Sequence, residues 1–126
     1  MKRSITAVGL LALGLLLAAC SSGGSATPAA SIPADAIQIS ANNLQFSTDT
    51  LTAPAGEAFQ IAFDNQESAP HNVAIYRDAG AAEDIFVPEP FSGPAAVTYD
   101  VPALAAGTYF FRCDVHPDMA GELSVG

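Results

Sequence analysis

The sequence predicts an all-β domain, a sandwich of seven to eight short strands over residues 35–126. Three observations predict it. Apolar residues recur with a period of two, as where Phe59, Ile61 and Phe63 alternate with Ala58, Gln60 and Ala62, the pattern of a strand with one face in a core. Turn formers fall between such runs, at Pro54 to Gly56, at Pro70, at Pro88 to Pro90 and at Gly93-Pro94. No stretch beyond the N-terminus carries an apolar stripe at helical spacing.

Taken in order, the expected strands are 36–40, 44–47, 57–64, 72–77, 97–101, 107–113 and 121–125. In 107–113 the alternation places Tyr109, Phe111 and Cys113 on one face and Phe110 and Arg112 on the other. The segment 102–107 (PALAAG) is expected to form one short turn of helix. The segment 78–95 reads as a long irregular loop, with three prolines and the acidic residues Asp78, Glu83, Asp84 and Glu89 among Ile85, Phe86, Val87 and Phe91. Loops of that length in compact domains are functional or mobile. This many short strands in 92 residues, without repeats, points to a β-sandwich.

Composition narrows the function. The chain of 126 residues holds 13 acidic residues against 4 Lys and Arg, a net charge of −9. Two of those cations are Lys2 and Arg3; without them two cations face 13 acids, a balance of −11. Such a surface excludes nucleic acid as a partner and favours basic ones. Two His and two Cys are too few for a multi-copper cluster or a four-cysteine zinc site.

Residues 1–20 read MKRSITAVGLLALGLLLAAC. Lys2 and Arg3 precede an apolar run from Ile5 to Ala19, shorter than the ~20 residues of a spanning helix and suited to the core of an export signal. Leu17-Ala18-Ala19-Cys20 resembles the bacterial lipoprotein signal, in which the Cys is lipidated and the chain is cut just before it. The resemblance implies a signal peptide over 1–19 and a lipidated Cys20 holding the protein at a membrane surface. Residues 21–34, rich in Ser, Gly, Ala and Pro, then read as a flexible tether, and 35–126 as the folded domain.

The informative segment runs from Tyr109 to Met119 (YFFRCDVHPDM) and carries a thiol, an imidazole and a thioether with the spacing C-x2-H-x2-M. The other imidazole lies upstream in Pro70-His71-Asn72-Val73. Two His, one Cys and one Met form the donor set of a blue-copper site, with a trigonal plane of two nitrogens and one sulfur and a weak axial thioether. Cys113 would close a strand on its core side, a tight loop would return His116 and then Met119 to the same point, and His71 would open a neighbouring strand. Taken singly, the Cys and the Met also read as core filler, and His71 as a residue of a surface turn.

With those residues in place, the domain resembles the cupredoxins of the plastocyanin, amicyanin and azurin type. The resemblance covers about 36–126 and rests on H-N-V at 71–73, G-x-Y-x-F-x-C at 107–113 and the C-x2-H-x2-M run. The short gap between His116 and Met119 is most like amicyanin. The resemblance implies a Greek-key β-sandwich holding one type 1 copper ion on His71, Cys113, His116 and Met119. It implies further that Asn72 locks the two ligand-bearing loops together. The family's usual Ser or Thr after the Cys is here Asp114, a departure at the partner position of that lock.

The function so implied is single-electron transfer between redox partners, without enzymatic turnover, by a monomer exported to the periplasm or the outer face of a prokaryotic cytoplasmic membrane. Electrons would pass at the exposed edge of His116, within an apolar patch drawn from Pro70, Pro117, Ala120, Phe91 and Pro88, onto a partner with a basic docking face. Copper binding and delivery with the same residues, and a metal-free β-sandwich interaction module, are the alternatives. An immunoglobulin-like domain would want a second Cys and a core Trp, and the domain has neither.

Overall fold

A computed structural model describes residues 33–126. Two sheets face each other. The first has the order β2-β1-β4-β9, from β1 (Ile37–Asn42), β2 (Gln45–Phe46), β4 (Phe59–Asn65) and β9 (Ala95–Val101). The second has the order β3-β11-β10-β6-β7, from β3 (Thr50–Ala53), β6 (Ala74–Tyr76), β7 (Asp84–Phe86), β10 (Gly107–Arg112) and β11 (Ala120–Val125). A small ribbon of β5 (Pro70–His71) and β8 (Phe91–Ser92) sits apart from both. β1 runs parallel to β4 and β3 parallel to β11, and the other pairs are antiparallel.

The predicted alternation explains why the sheets close on each other. Ile39 and Ala41 of β1, Phe59, Ile61 and Phe63 of β4 and Tyr99 and Val101 of β9 turn inward from one sheet. Leu51, Ile75, Tyr109, Phe111, Leu123 and Val125 meet them from the other. Phe63 is the hub of the aromatic packing, with ring centres 6.2 Å from Phe46, 5.6 Å from Phe91 and 6.1 Å from Tyr99. Fully burying a side chain of this size contributes roughly 1.5–3 kcal/mol. This core fixes the frame on which the loops at one end are carried.

Several expectations are corrected. Residues 102–107 form no helical turn: Leu104 is drawn into the core, its carbonyl accepts the Gly56 N–H at 2.8 Å, and the Ala105 carbonyl accepts the Tyr109 hydroxyl at 2.9 Å. Carbonyls engaged by distant donors do not close a turn. The loop 78–95 is less irregular than expected, since it contains β7 and β8. The strand expected over 72–77 is shorter than that, β6 holding only Ala74–Tyr76, with Asn72 and Val73 outside any strand. β3 was not expected; its Leu51 and Ala53 are buried and Pro54 ends it. With these additions there are eleven strands among the described residues, three of them two residues long, where seven to eight were expected. The expected signal peptide, Cys20 and, apart from its last two residues, the tether lie outside the described residues.

Candidate metal centre

The site is built at the end of β10. Strand alternation turns Tyr109 and Phe111 inward, and Cys113, one residue past the strand, follows them and is fully buried. The next residues form a closed loop. The Met119 N–H donates to the His116 carbonyl at 2.9 Å, and the Cys113 N–H to the Met119 carbonyl at 2.9 Å. The chain then leaves as β11, with Met119 buried at its root. His71 arrives on the β5–β8 ribbon, paired with Phe91, and is also fully buried. His116 is partly exposed.

Three of the four residues expected from sequence converge through their side-chain donor atoms. Cys113 Sγ lies 3.6 Å from His71 Nδ1 and 3.8 Å from His116 Nδ1, and the two Nδ1 atoms are 3.2 Å apart. The centre of a triangle with those sides lies ~2.1 Å from each corner, a bond length to a first-row metal for imidazole nitrogen and close to that for thiolate sulfur. One thiol and two imidazoles with the buried Met119 alongside make a soft-to-borderline donor set that fits copper in either oxidation state.

The protonation of His71 follows from its other contact. Its Nε2 lies 2.7 Å from Glu67 Oε1. An ionised carboxylate only accepts, so Nε2 carries the hydrogen and Nδ1 presents its lone pair to Cys113 and His116. Glu67 Oε1 also accepts the Leu44 N–H at 2.9 Å. That bond is the main cause holding the Glu67 carboxyl below its ordinary range; burial opposes it and the His71 contact reinforces it. Sequence reasoning missed Glu67. Its signal was an acidic residue four positions before the His, across a turn.

Asn72 is fully buried and joins three segments. Its amide nitrogen donates to the Pro88 carbonyl at 2.7 Å and to Asp114 Oδ2 at 2.9 Å, while its oxygen accepts the Asp114 N–H at 2.9 Å. The lock therefore forms in full with Asp114 in the place of Ser or Thr. Burial pushes the Asp114 carboxyl up, but hydrogen bonds from Tyr76, Asn72 and Arg112 outweigh it and hold the group below its ordinary value.

Of the apolar residues expected near the site, Pro70 and Pro117 are exposed, while Pro88, Phe91 and Ala120 are half-buried. Among the described residues the large apolar side chains that stay exposed are Leu44, Val87 and Val115. Leu44 is bonded to Glu67, Val87 precedes Pro88, and Val115 precedes His116.

The chain is 34% identical over 97 residues to amicyanin of Paracoccus versutus, covering 77% of this chain and 70% of the relative. It is 41% identical over 88 residues to plastocyanin A/B of Petroselinum crispum, covering 65% of this chain and 88% of the relative. Among solved structures, auracyanin A of Chloroflexus aurantiacus, described as a "blue" copper protein, superposes with a TM-score of 0.63 at 25% identity, over 72% of this chain and 98% of its own. The family model for the cupredoxin-like domain matches residues 9–125, and the chain belongs to the cupredoxin-like family.

Proposed function

We propose that this protein is a type 1 copper electron carrier that works outside the cytoplasm, with one copper ion held by His71, Cys113, His116 and Met119. The observation that carries the reading is the convergence of His71 Nδ1, Cys113 Sγ and His116 Nδ1 within 3.8 Å of one another. The copper, when bound, supplies a one-electron couple. The protein's part is to keep the donors still. Glu67 fixes the His71 ring, the Asn72–Asp114 lock fixes the two loops, and the Cys113–Met119 backbone bond closes the cage. Donors that do not move between oxidation states make electron transfer fast, because little has to be reorganised at the moment of reaction.

His116 is the partly exposed donor and gives the shortest route to the surface. Exposed Val115 and Pro117 flank it in sequence, Pro70 precedes His71 and Leu44 is bonded to Glu67; these form the docking patch, and the acidic surplus selects a partner with a basic face. Fully buried His71 and Cys113 favour a fixed redox centre over copper delivery, which needs donors that exchange easily. Cys20 is lipidated and tethers the domain to the membrane through residues 21–34.

The test is the visible spectrum of the purified protein with added Cu(II). A strong band near ~600 nm, bleached by ascorbate and lost in Cys113→Ser, is expected. Absence of the band, with the Cys113 thiol still titratable, overturns the reading. The tether is checked by Cys20→Ala, which is expected to release the protein from the membrane fraction.

A further inference from the structure

The position after Cys113 carries a burden that Ser or Thr would not. A hydroxyl there is neutral, whereas Asp114 is a carboxylate about three-quarters buried beside a thiol. A buried charge persists only when partners satisfy its oxygens. Both oxygens are used here. Oδ2 takes the Asn72 amide at 2.9 Å, and Oδ1 takes the Tyr76 hydroxyl at 2.6 Å and Arg112 Nε at 3.2 Å. The two outer donors also hold each other, since the Arg112 guanidinium lies 4.7 Å from the centre of the Tyr76 ring.

Strand register explains the cluster. β10 and β6 pair with Phe110 opposite Tyr76 and Arg112 opposite Ala74, so Tyr76 and Arg112 are diagonal neighbours on the outer face of the sheet. Cys113 turns to the inner face between Arg112 and Asp114. The cluster therefore sits behind the thiol, on the far side of the sheet from the core. Arg112 is one of only two cations in the chain beyond residue 3.

We propose that Tyr76 and Arg112 are positioning residues of the metal centre, acting through Asp114 and Asn72 to hold the His71 and Cys113 loops together. The inference rests on the copper reading of that centre. It makes the clamp a matched set: a carboxylate at 114 requires the Tyr76 hydroxyl and the Arg112 charge, and a hydroxyl at 114 requires neither.

A double-mutant cycle on the full-length protein tests it. Copper-loaded protein is reduced and challenged with excess bicinchoninate, a Cu(I) chelator, and the Cu(II) spectrum is recorded for each variant. Tyr76→Phe and Arg112→Met are each expected to release copper about 10-fold faster, the low end of the loss in metal binding when a hydrogen-bonding partner outside the ligands is removed, and to shift the ~600 nm band. In an Asp114→Thr background, with Asp114→Asn as a second background should Thr fold poorly, the same changes are expected to alter release by less than about twofold.

A copper-free readout accompanies these. In the apoprotein the Asn72 side-chain amide protons are expected to exchange faster with solvent in Tyr76→Phe than in the parent. An equal effect of Tyr76→Phe in both backgrounds overturns the inference, because Tyr76 then acts by packing alone. No effect in either background overturns it too. Accelerated Asn72 exchange in a parent that forms no blue centre would overturn the copper reading while leaving the clamp standing.

Discussion

Glu67 Oε1 stands 2.7 Å from His71 Nε2 and takes the Leu44 N–H through the same oxygen, so one atom ties a buried imidazole to an exposed turn. Outer carboxylates on a metal-binding imidazole fix its tautomer and raise its basicity, which favours the more highly charged metal state. Glu67→Gln is expected to weaken copper binding by roughly 10–100-fold. Cu(II) should be hit harder than Cu(I), raising the midpoint potential by about 59 mV for each tenfold difference. Potentiometric titration of the parent and variant checks this. An unchanged potential would show that the Glu67 charge is not felt at the metal.

The turn that supplies Leu44 is itself unusual. Asn43 and Leu44 have φ of 53° and 56°, a left-handed pair of the kind that joins two strands by a two-residue turn. Asn tolerates that conformation, but Leu pays roughly 1 kcal/mol there. Leu44→Gly is therefore expected to leave the apoprotein as stable or more so, while slowing electron exchange with a partner by removing an exposed apolar contact. Calorimetry and stopped-flow kinetics with a basic redox protein separate the two effects. Equal exchange rates would remove Leu44 from the docking patch.

Much of this architecture was legible because it rests on local pattern. Phe59, Ile61 and Phe63, and then Tyr109, Phe111 and Cys113, announce their strands by alternation, and each of these residues is buried. The candidate donor set was legible because few candidates exist: two His, and one Cys and one Met outside the first twenty residues. What escaped is what long-range pairing decides. β5 and β8 are two residues each and owe their existence to each other and to Asn65, whose amide donates to the Ala69 and Phe91 carbonyls. β3 depends on parallel pairing with β11. Glu67, Tyr76 and Arg112 acquire roles only when distant segments meet, and no spacing rule within one segment reveals them.

Close approach of backbone to backbone gives the next prediction. Gly121 lies opposite Phe111 in β11, and a Cβ there would collide with the Phe111 ring and the Asp49 carbonyl. The same carbonyl accepts the Glu122 N–H, so it cannot withdraw without loss. Gly121→Ala is expected to cost about 1–3 kcal/mol, lowering the unfolding temperature by roughly 5–20 °C. Thermal unfolding of the apoprotein measures it. A shift below about 2 °C would mean that the strands separate at little expense.

Acid stability follows from the two depressed carboxyls. Hydrogen bonding from Leu44 dominates for Glu67. For Asp114, burial raises the value but Tyr76, Asn72 and Arg112 lower it further. A group whose folded value is depressed adds stability that is complete above its ordinary value, 4.5 for Glu67 and 3.8 for Asp114, and is lost as pH falls through the lower folded value. Apoprotein stability should therefore fall as pH drops below these values. Urea unfolding across pH 3–6 is expected to show a shallower decline in Glu67→Gln with Asp114→Asn than in the parent. Equal slopes would place the acid sensitivity elsewhere.

Two buried tyrosines make opposite predictions under the same substitution. The Tyr109 hydroxyl donates to the Ala105 carbonyl at 2.9 Å, so Tyr109→Phe removes a formed bond and leaves a carbonyl short of a donor. A loss of about 0.5–1.5 kcal/mol is expected. The Tyr99 ring is equally well packed, 6.1 Å from Phe63 and 5.6 Å from Phe86, but its hydroxyl is buried and no acceptor takes its hydrogen. Burial, and after it Cys113, push the Tyr99 phenol well above its ordinary value against a weaker pull from the Val73 N–H, so the hydroxyl stays protonated and its own hydrogen lacks an acceptor. A buried unsatisfied group costs roughly 1–3 kcal/mol. Tyr99→Phe keeps the ring contacts and removes that cost, and a gain of up to about 1 kcal/mol is expected. Urea unfolding of both variants decides the matter: a Tyr99→Phe loss as large as that of Tyr109→Phe would mean that the Tyr99 hydroxyl is satisfied in solution.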